Sequence, residues 1–387
     1  MTDHRERLAL WIEQKLPRPK LRPGATGRPR GPVKRIIVFG RMPNPTFDYY
    51  FAARLDAPGM LPSEAVDIRH GKLADLAPEG AFIIICRYAS PDVLTWLDTN
   101  ADRLSGVGLF VDDDIPAVAT GRDASLRYRF VLCFRALWPL RRLNRHLDIV
   151  WASTPHLAST LQLEEVQVLP PAPPERLWRP RSSKYGSLEP ISDRVLIAYH
   201  ATGVHLEEHR FLRPIIEEIL EKRPEARFEV FADARAASIW EGMERVSVRR
   251  PIPWNDYVAD ANNRTIDVML VPLHPSRVND SRAPTKRIDV ARYKAAGVFS
   301  EGAAYGYPGE DAELRLPYNA RAWCQTIDQL VEDLEMRRTI AAATRQAALQ
   351  MTLAADTGFE ALKACQNASS AHLGLTTILN DRNAGPF

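Results

Sequence analysis

Asn279-Asp-Ser-Arg282-Ala-Pro284-Thr285-Lys286-Arg287-Ile-Asp289-Val-Ala-Arg292-Tyr-Lys-Ala-Ala-Gly297 follows an apolar run, Asp267-Val-Met-Leu-Val-Pro272. Together they read as strand, polar loop and helix. Pro284 suits the first turn of that helix and Gly297 its stop, which predicts a helix over 284–296. Arg282, Lys286 and Arg287 crowd its start, where unpaired backbone N–H groups already carry partial positive charge. A bound anion, phosphate above all, resolves that conflict; a solvated surface helix with ordinary charges is the alternative. Asp289 shares the face of Lys286 one turn deeper, where a carboxylate accepts from sugar hydroxyls.

Working outward, the same alternation recurs in two blocks. The first opens at Arg35-Ile-Ile-Val-Phe-Gly40 and continues through runs at 65–69, 82–86, 107–111, 148–152 and 166–169, with helical patterns at 90–104 and 125–143 between them. A Pro- and Arg-rich stretch from Pro170 to Pro190 has neither period and reads as a linker. The second block opens at Arg194-Val-Leu-Ile-Ala-Tyr199, passes through the quoted stretch and ends in long helices over 320–350. Two such blocks predict two doubly wound α/β domains facing each other across a cleft, at 35–175 and 194–352. The linker is 176–193, and 353–387 forms a terminal helix and tail.

Composition bounds the rest. A length of 387 residues exceeds one typical core. Apolar content of 45% and charged content of 26% are those of a soluble globular chain, and no run approaches the roughly 18 apolar residues of a membrane span. The charged opening Met1-Thr-Asp-His-Arg-Glu-Arg has no apolar core after it, unlike a secretory signal, so the expected location is cytoplasmic. Cys86, Cys133, Cys324 and Cys365 are widely spaced, as reduced thiols are. Residues 1–35 hold ten Lys/Arg against three Asp/Glu, so the basic excess belongs to a Pro/Gly-rich leader expected to be disordered. Residues 15–35 then offer a peripheral contact to an anionic inner membrane. The main body has no basic stripe, which argues against nucleic acid.

Ligands of such sheets bind beyond the carboxyl ends of strands, so the residues there are the candidates. Gly40 and Arg41 follow the first strand; Gly40 permits close backbone approach, though not as a G-x-G-x-x-G fingerprint. Asp112, Asp113 and Asp114 end the fourth strand, either as polarising or basic carboxylates or as caps of backbone N–H groups. Trp151-Ala-Ser-Thr-Pro-His-Leu-Ala158 is a strand running into a capped helix. His200, Thr202 and Gly203 begin a loop that enters a helix, a plausible phosphate cradle or a plain helix start. His205, Glu208 and His209 lack the H-E-x-x-H spacing of a zinc site.

With these residues assembled, the chain resembles the GT-B glycosyltransferases, in particular the group-1/family-4-like enzymes of bacterial surface-polysaccharide synthesis. The resemblance spans about 35–350 and rests most on Asn279-x-x-Arg-x-Pro-Thr-Lys-x-x-Asp-x-x-Arg with Ala-Ala-Gly-Val-Phe-Ser behind it. Val111-Asp-Asp-Asp-Ile-Pro and Ile197-Ala-Tyr-His-Ala-Thr support it. It implies transfer of a sugar from a nucleotide-activated donor to a glycan or lipid-linked acceptor, with no cofactor and no metal. Asn279, Arg282, Thr285, Lys286, Asp289, His200, Thr202 and Gly203 would bind the donor, and Gly40 and Arg41 the acceptor. Asp112, Asp113, Asp114 and Lys286 would be catalytic. Many relatives carry a Glu where Arg292 stands, five residues before Gly297. That departure keeps two alternatives in view: a non-catalytic nucleotide- or glycan-binding module, and a sugar-nucleotide epimerase.

Overall fold

A computed structural model describes residues 4–121, 124–179, 194–201 and 205–363. Its described strands form two six-stranded sheets, parallel throughout. The first holds β1 (Arg35–Gly40), β2 (Ser63–Asp67), β3 (Ala81–Cys86), β4 (Gly106–Val111), β5 (Ile149–Ala152) and β6 (Val166–Val168) in the order β2-β1-β3-β4-β5-β6. The second holds β7 (Val195–His200), β8 (Ala226–Phe231), β9 (Val246–Arg249), β10 (Val268–Val271), β11 (Ala296–Ser300) and β12 (Leu314–Leu316) in the order β12-β11-β10-β7-β8-β9. That second order is the dinucleotide-fold winding, with its reversal between β7 and β10. In the first sheet the reversal lies between β1 and β3. Continuous apolar runs such as Ala81–Cys86 and Val268–Val271 are buried along their whole length, as strands covered on both faces must be.

The chain divides into two compact units that do not follow its halves. The first-sheet unit takes Leu16–Asp112, Val131–Pro170 and the chain from Ala355 onward. The second-sheet unit takes the residues up to Lys15, Asp113–Phe130 and Pro171–Ala354. In the latter, the helix Leu206–Lys222 packs Leu212, Ile215, Ile216 and Ile219 beneath β7 and β8 against the helix Ala320–Glu332. Met269, Val271, Val290 and Phe299 build the core on the sheet's other side.

Three local expectations need correction. The leader expected to be disordered is packed from Leu16 on: Arg22 and Arg30 donate from Nε to Asp148 at 2.6 and 2.9 Å. Asp148 is fully buried and a buried carboxylate needs such partners, which the composition of the leader alone conceals. The helix expected over 284–296 is Lys286–Arg292, and Gly297 lies inside β11 rather than at its stop. Lys294 supplies the left-handed turn instead, at φ 58°. A Cβ on Gly297 would stand 2.6 Å from the Phe299 ring and 3.0 Å from the Thr344 hydroxyl. The start of the expected linker is not one: a short helix, Glu175–Trp178, belongs to the second-sheet unit, and Trp178 Nε1 donates to Thr352 Oγ1 at 2.8 Å, while 180–193 lie outside the described residues.

Candidate functional site

The reversal between β7 and β10 opens the second sheet at its carboxyl edge, and both neighbouring strands feed one cluster there. Beyond β7, His205 starts the helix Leu206–Lys222, whose third residue is Glu208. Beyond β10 come His274 and the turn Arg277–Asp280, capped by the Ser276 hydroxyl accepting from Asn279 N. Asn279 is buried and its amide is fully used. Nδ2 donates to Glu208 Oε1 and to His274 O, each at 2.8 Å, and Oδ1 accepts from Arg282 Nε at 2.8 Å. The His274 N–H adds a bond to Glu208 Oε1 at 3.1 Å.

Glu208 is thus the anchor of a chain that ends in a guanidinium. Burial raises its carboxyl, but His205 beside it and the His274 N–H outweigh burial and hold it at about 2, so it stays ionised. Burial and then the charge of Arg282 lower His205, whose imidazole is therefore neutral. Among the described residues Arg282 meets no carboxylate, only the neutral amide of Asn279. Its planar donor fork is oriented by one edge, which suits bidentate recognition of a phosphate.

Arg287, Lys286 and Arg292, by contrast, have partners. Arg287 turns to Glu313 at 2.7 Å and to Tyr305 O at 2.8 Å, so it is not part of the crowd expected at the helix start. Lys286 Nζ pairs with Asp289 at 3.0 Å and keeps about a third of its side chain exposed. Asp289 is buried, with Arg292 Nη2 on its other oxygen at 3.4 Å. The carboxylate expected to accept from sugar hydroxyls there is thus buried between two cations. Arg292 is itself interior: Nε donates to Leu177 O at 2.7 Å, and the guanidinium lies over the Trp254 ring at 4.9 Å. Thr285 caps the helix by backbone position without a side-chain hydrogen bond.

His200 also departs from expectation. Its ring is buried and stacked on Phe231 at 4.3 Å, with Nε2 2.8 Å from Glu229 and Nδ1 3.1 Å from the Tyr257 hydroxyl. A carboxylate only accepts, so Nε2 carries the proton and Nδ1 accepts from Tyr257. Burial lowers the imidazole despite Glu229, which keeps it neutral and structural rather than facing a diphosphate. Thr202 and Gly203 lie outside the described residues.

In the first-sheet unit, Gly40 ends β1, and a Cβ there would meet the tip of the Met42 side chain at 2.9 Å. Arg41 is exposed beside it. Asp112 ends β4 with its charge matched by Arg87 Nε at 2.8 Å and a donated bond from Thr46 Oγ1 at 2.8 Å. Arg87 holds a left-handed φ of 70°, uncommon without glycine and typical of constrained sites. In the second-sheet unit, Asp114 is buried and caps Ile115–Thr120 by accepting from Ala117 N, while Asp113 O accepts from Ile115 N. The three aspartates therefore have different partners: Asp112 a cation and a hydroxyl, Asp114 the start of a helix.

Sequence reasoning passed over Glu208 as an anchor. The signal was there: Glu208, Leu212, Ile215 and Ile219 share one helical face, so a carboxylate sits on the apolar stripe.

No protein-family model matches the sequence, and no curated protein does either. Solved structures do. HepE of Anabaena, in complex with UDP and glucose, is 13% identical; the match covers 88% of this chain and 99% of that one at a TM-score of 0.51. The UDP-forming α,α-trehalose-phosphate synthase of Burkholderia vietnamiensis is also 13% identical, over 77% of this chain and 73% of that one at a TM-score of 0.49. At such identity the likeness to HepE speaks for the fold alone, and the second match bears no argument. Two parallel Rossmann-like sheets and that likeness agree: the chain has a GT-B fold.

Proposed function

We propose that the chain is a metal-independent glycosyltransferase that moves a sugar from a nucleotide-activated donor to a glycan or lipid-linked acceptor. One observation carries this reading. At the carboxyl edge of β7 and β10, Glu208 and Asn279 hold the Arg282 guanidinium with no carboxylate against it among the described residues. A preorganised cation of that kind stabilises the charge that develops on a departing diphosphate. Lys286, four residues further on, about a third exposed and paired with Asp289, adds a second positive group. The GT-B fold, and a fold neighbour bound to UDP and glucose, support the same assignment. Asp112, Asp113 and Asp114 remain candidates for the acceptor side, Asp112 with its charge already balanced by Arg87. Within 15–35, the exposed cations Lys15, Lys20, Arg28, Lys34 and Arg35 would serve a peripheral membrane contact. Among the described residues no helix is long and apolar enough to cross a membrane.

A thermal-shift screen of nucleoside diphosphates tests the donor site, since a ligand at 100 times its dissociation constant stabilises by about 2.7 kcal/mol. Arg282→Ala should abolish that shift and lower turnover of the matching nucleotide-sugar by about 10²–10³-fold. Unchanged nucleotide binding in the variant sinks the assignment. Release of a free sugar isomer would identify an epimerase, and binding without any turnover a non-catalytic module.

A further inference from the structure

The first-sheet unit carries a concavity of about 610 Å³ at the carboxyl ends of β1, β2 and β3. That is the size of a small-molecule site, placed at the β1/β3 reversal where such sheets bind ligands. Its apolar walls include Ile68, Tyr88, Leu94, Phe134 and Trp138. The helical segment bearing the last two is unusual. Cys133–Leu137 is a π turn, closed by Trp138 N–H onto Cys133 O. Pro139 follows at once: it has no N–H to give Arg135 O, and its ring crowds that carbonyl, so the helix widens by one residue. The widening sets Phe134 and Trp138 parallel, 6.2 Å apart with an 11° tilt, and leaves both exposed by more than half.

The charge around this apolar space has one sign. Arg41, Arg69, Arg135, Arg141 and Arg142 line it, and among the described residues no Asp, Glu, Asn or Gln does. Arg69 pairs with Asp67 and Arg142 with Asp98. Among the described residues Arg41, Arg135 and Arg141 meet no carboxylate; Arg141 lies over the Trp138 ring at 5.0 Å. A neutral glycan calls for carboxylates and amides to take its hydroxyl protons, and this lining offers none. An apolar wall rimmed by unmatched guanidinium groups matches the opposite chemistry, a hydrocarbon joined to a phosphate.

We infer that this concavity binds an anionic amphiphile, a phosphate-bearing lipid, as the acceptor end of the reaction. The inference rests on the glycosyltransferase reading and selects the lipid-linked acceptor within it. Dodecyl phosphate below its micellar concentration is the probe, titrated by calorimetry into the full chain. Saturable binding with one site is expected, weakened at least tenfold in Arg135→Ala/Arg141→Ala and in Trp138→Ala. Dodecyl maltoside should bind at least tenfold more weakly, and inorganic phosphate alone should give no saturation. Equal affinity for the maltoside, or unchanged affinity in the arginine variant, would overturn the proposal. Binding to phosphatidylglycerol vesicles without binding of the monomer would overturn it in favour of a bilayer-docking face. UDP binding, measured alongside in the same variants, should be unchanged. Absence of dodecyl phosphate binding by the native chain, with its UDP binding intact, refutes this inference alone, whereas absence of UDP binding in the native chain refutes the donor reading.

Discussion

His209 shows what a buried imidazole contributes at the residue scale. Its Nδ1 accepts from Trp240 Nε1 at 3.0 Å, so the ring must be neutral there. Burial, reinforced by His205, lowers it to about 4, against about 6.5 in the unfolded chain. Between those values the unfolded state takes up the proton and the folded state does not. The stabilisation is therefore complete above about pH 6.5 and lost as pH falls toward 4, roughly 3 kcal/mol in all. Thermal melts from pH 7.5 to 4.5 should show His209→Gln, which can keep the acceptor, losing distinctly less stability than the native chain. Parallel slopes would remove His209 from the account. The residue scale is also where the sequence was hardest to read. The types at 282–289 were plain, but whether a cation faces ligand or protein depends on distant groups. Glu208 lies 71 residues from Asn279 and Glu313 lies 26 from Arg287, separations at which no local spacing rule operates.

At the scale of elements, the strands were the most legible part, because a buried parallel strand must be apolar almost throughout. β12, three residues with an arginine at its centre, carries no such mark and was missed. Helix ends were misread where a glycine served packing rather than a cap. Gly297 admits the helix Leu334–Leu353 against β11, with Thr344 and Phe299 filling the space a Cβ would need. Gly297→Ala should therefore destabilise by about 1–3 kcal/mol, the usual cost of overpacking. Urea unfolding measures it, and an unchanged midpoint would mean that β11 has slack. The Cys133–Leu137 widening belongs to this scale too: a proline within the 125–143 pattern was visible, but its consequence depends on the helix continuing past it.

For the whole molecule, two alternating blocks were enough to indicate two wound sheets, yet not how the chain is shared between units. Residues after Ala355 rejoin the first-sheet unit. Phe359 stacks near Phe51 and meets Trp151 edge-on, at 6.2 and 5.8 Å, and Arg54 Nε donates to Thr357 O at 2.7 Å. Burial brings the Arg54 guanidinium down to about 10, so its carbonyl partners matter. Phe359→Ala should cost about 3–5 kcal/mol in the first-sheet unit. Denaturation followed through the two units separately, by nucleotide protection for one and proteolysis of 16–112 for the other, should show the loss confined to the latter.

That late return has a bearing on biosynthesis. All twelve described strands leave the ribosome before Phe359, the ring that covers Phe51 and Trp151, so the first sheet closes late. During that interval Phe51 and Trp151 have no lid, and the nascent protein is most in need of chaperone cover over a surface that the finished one never shows.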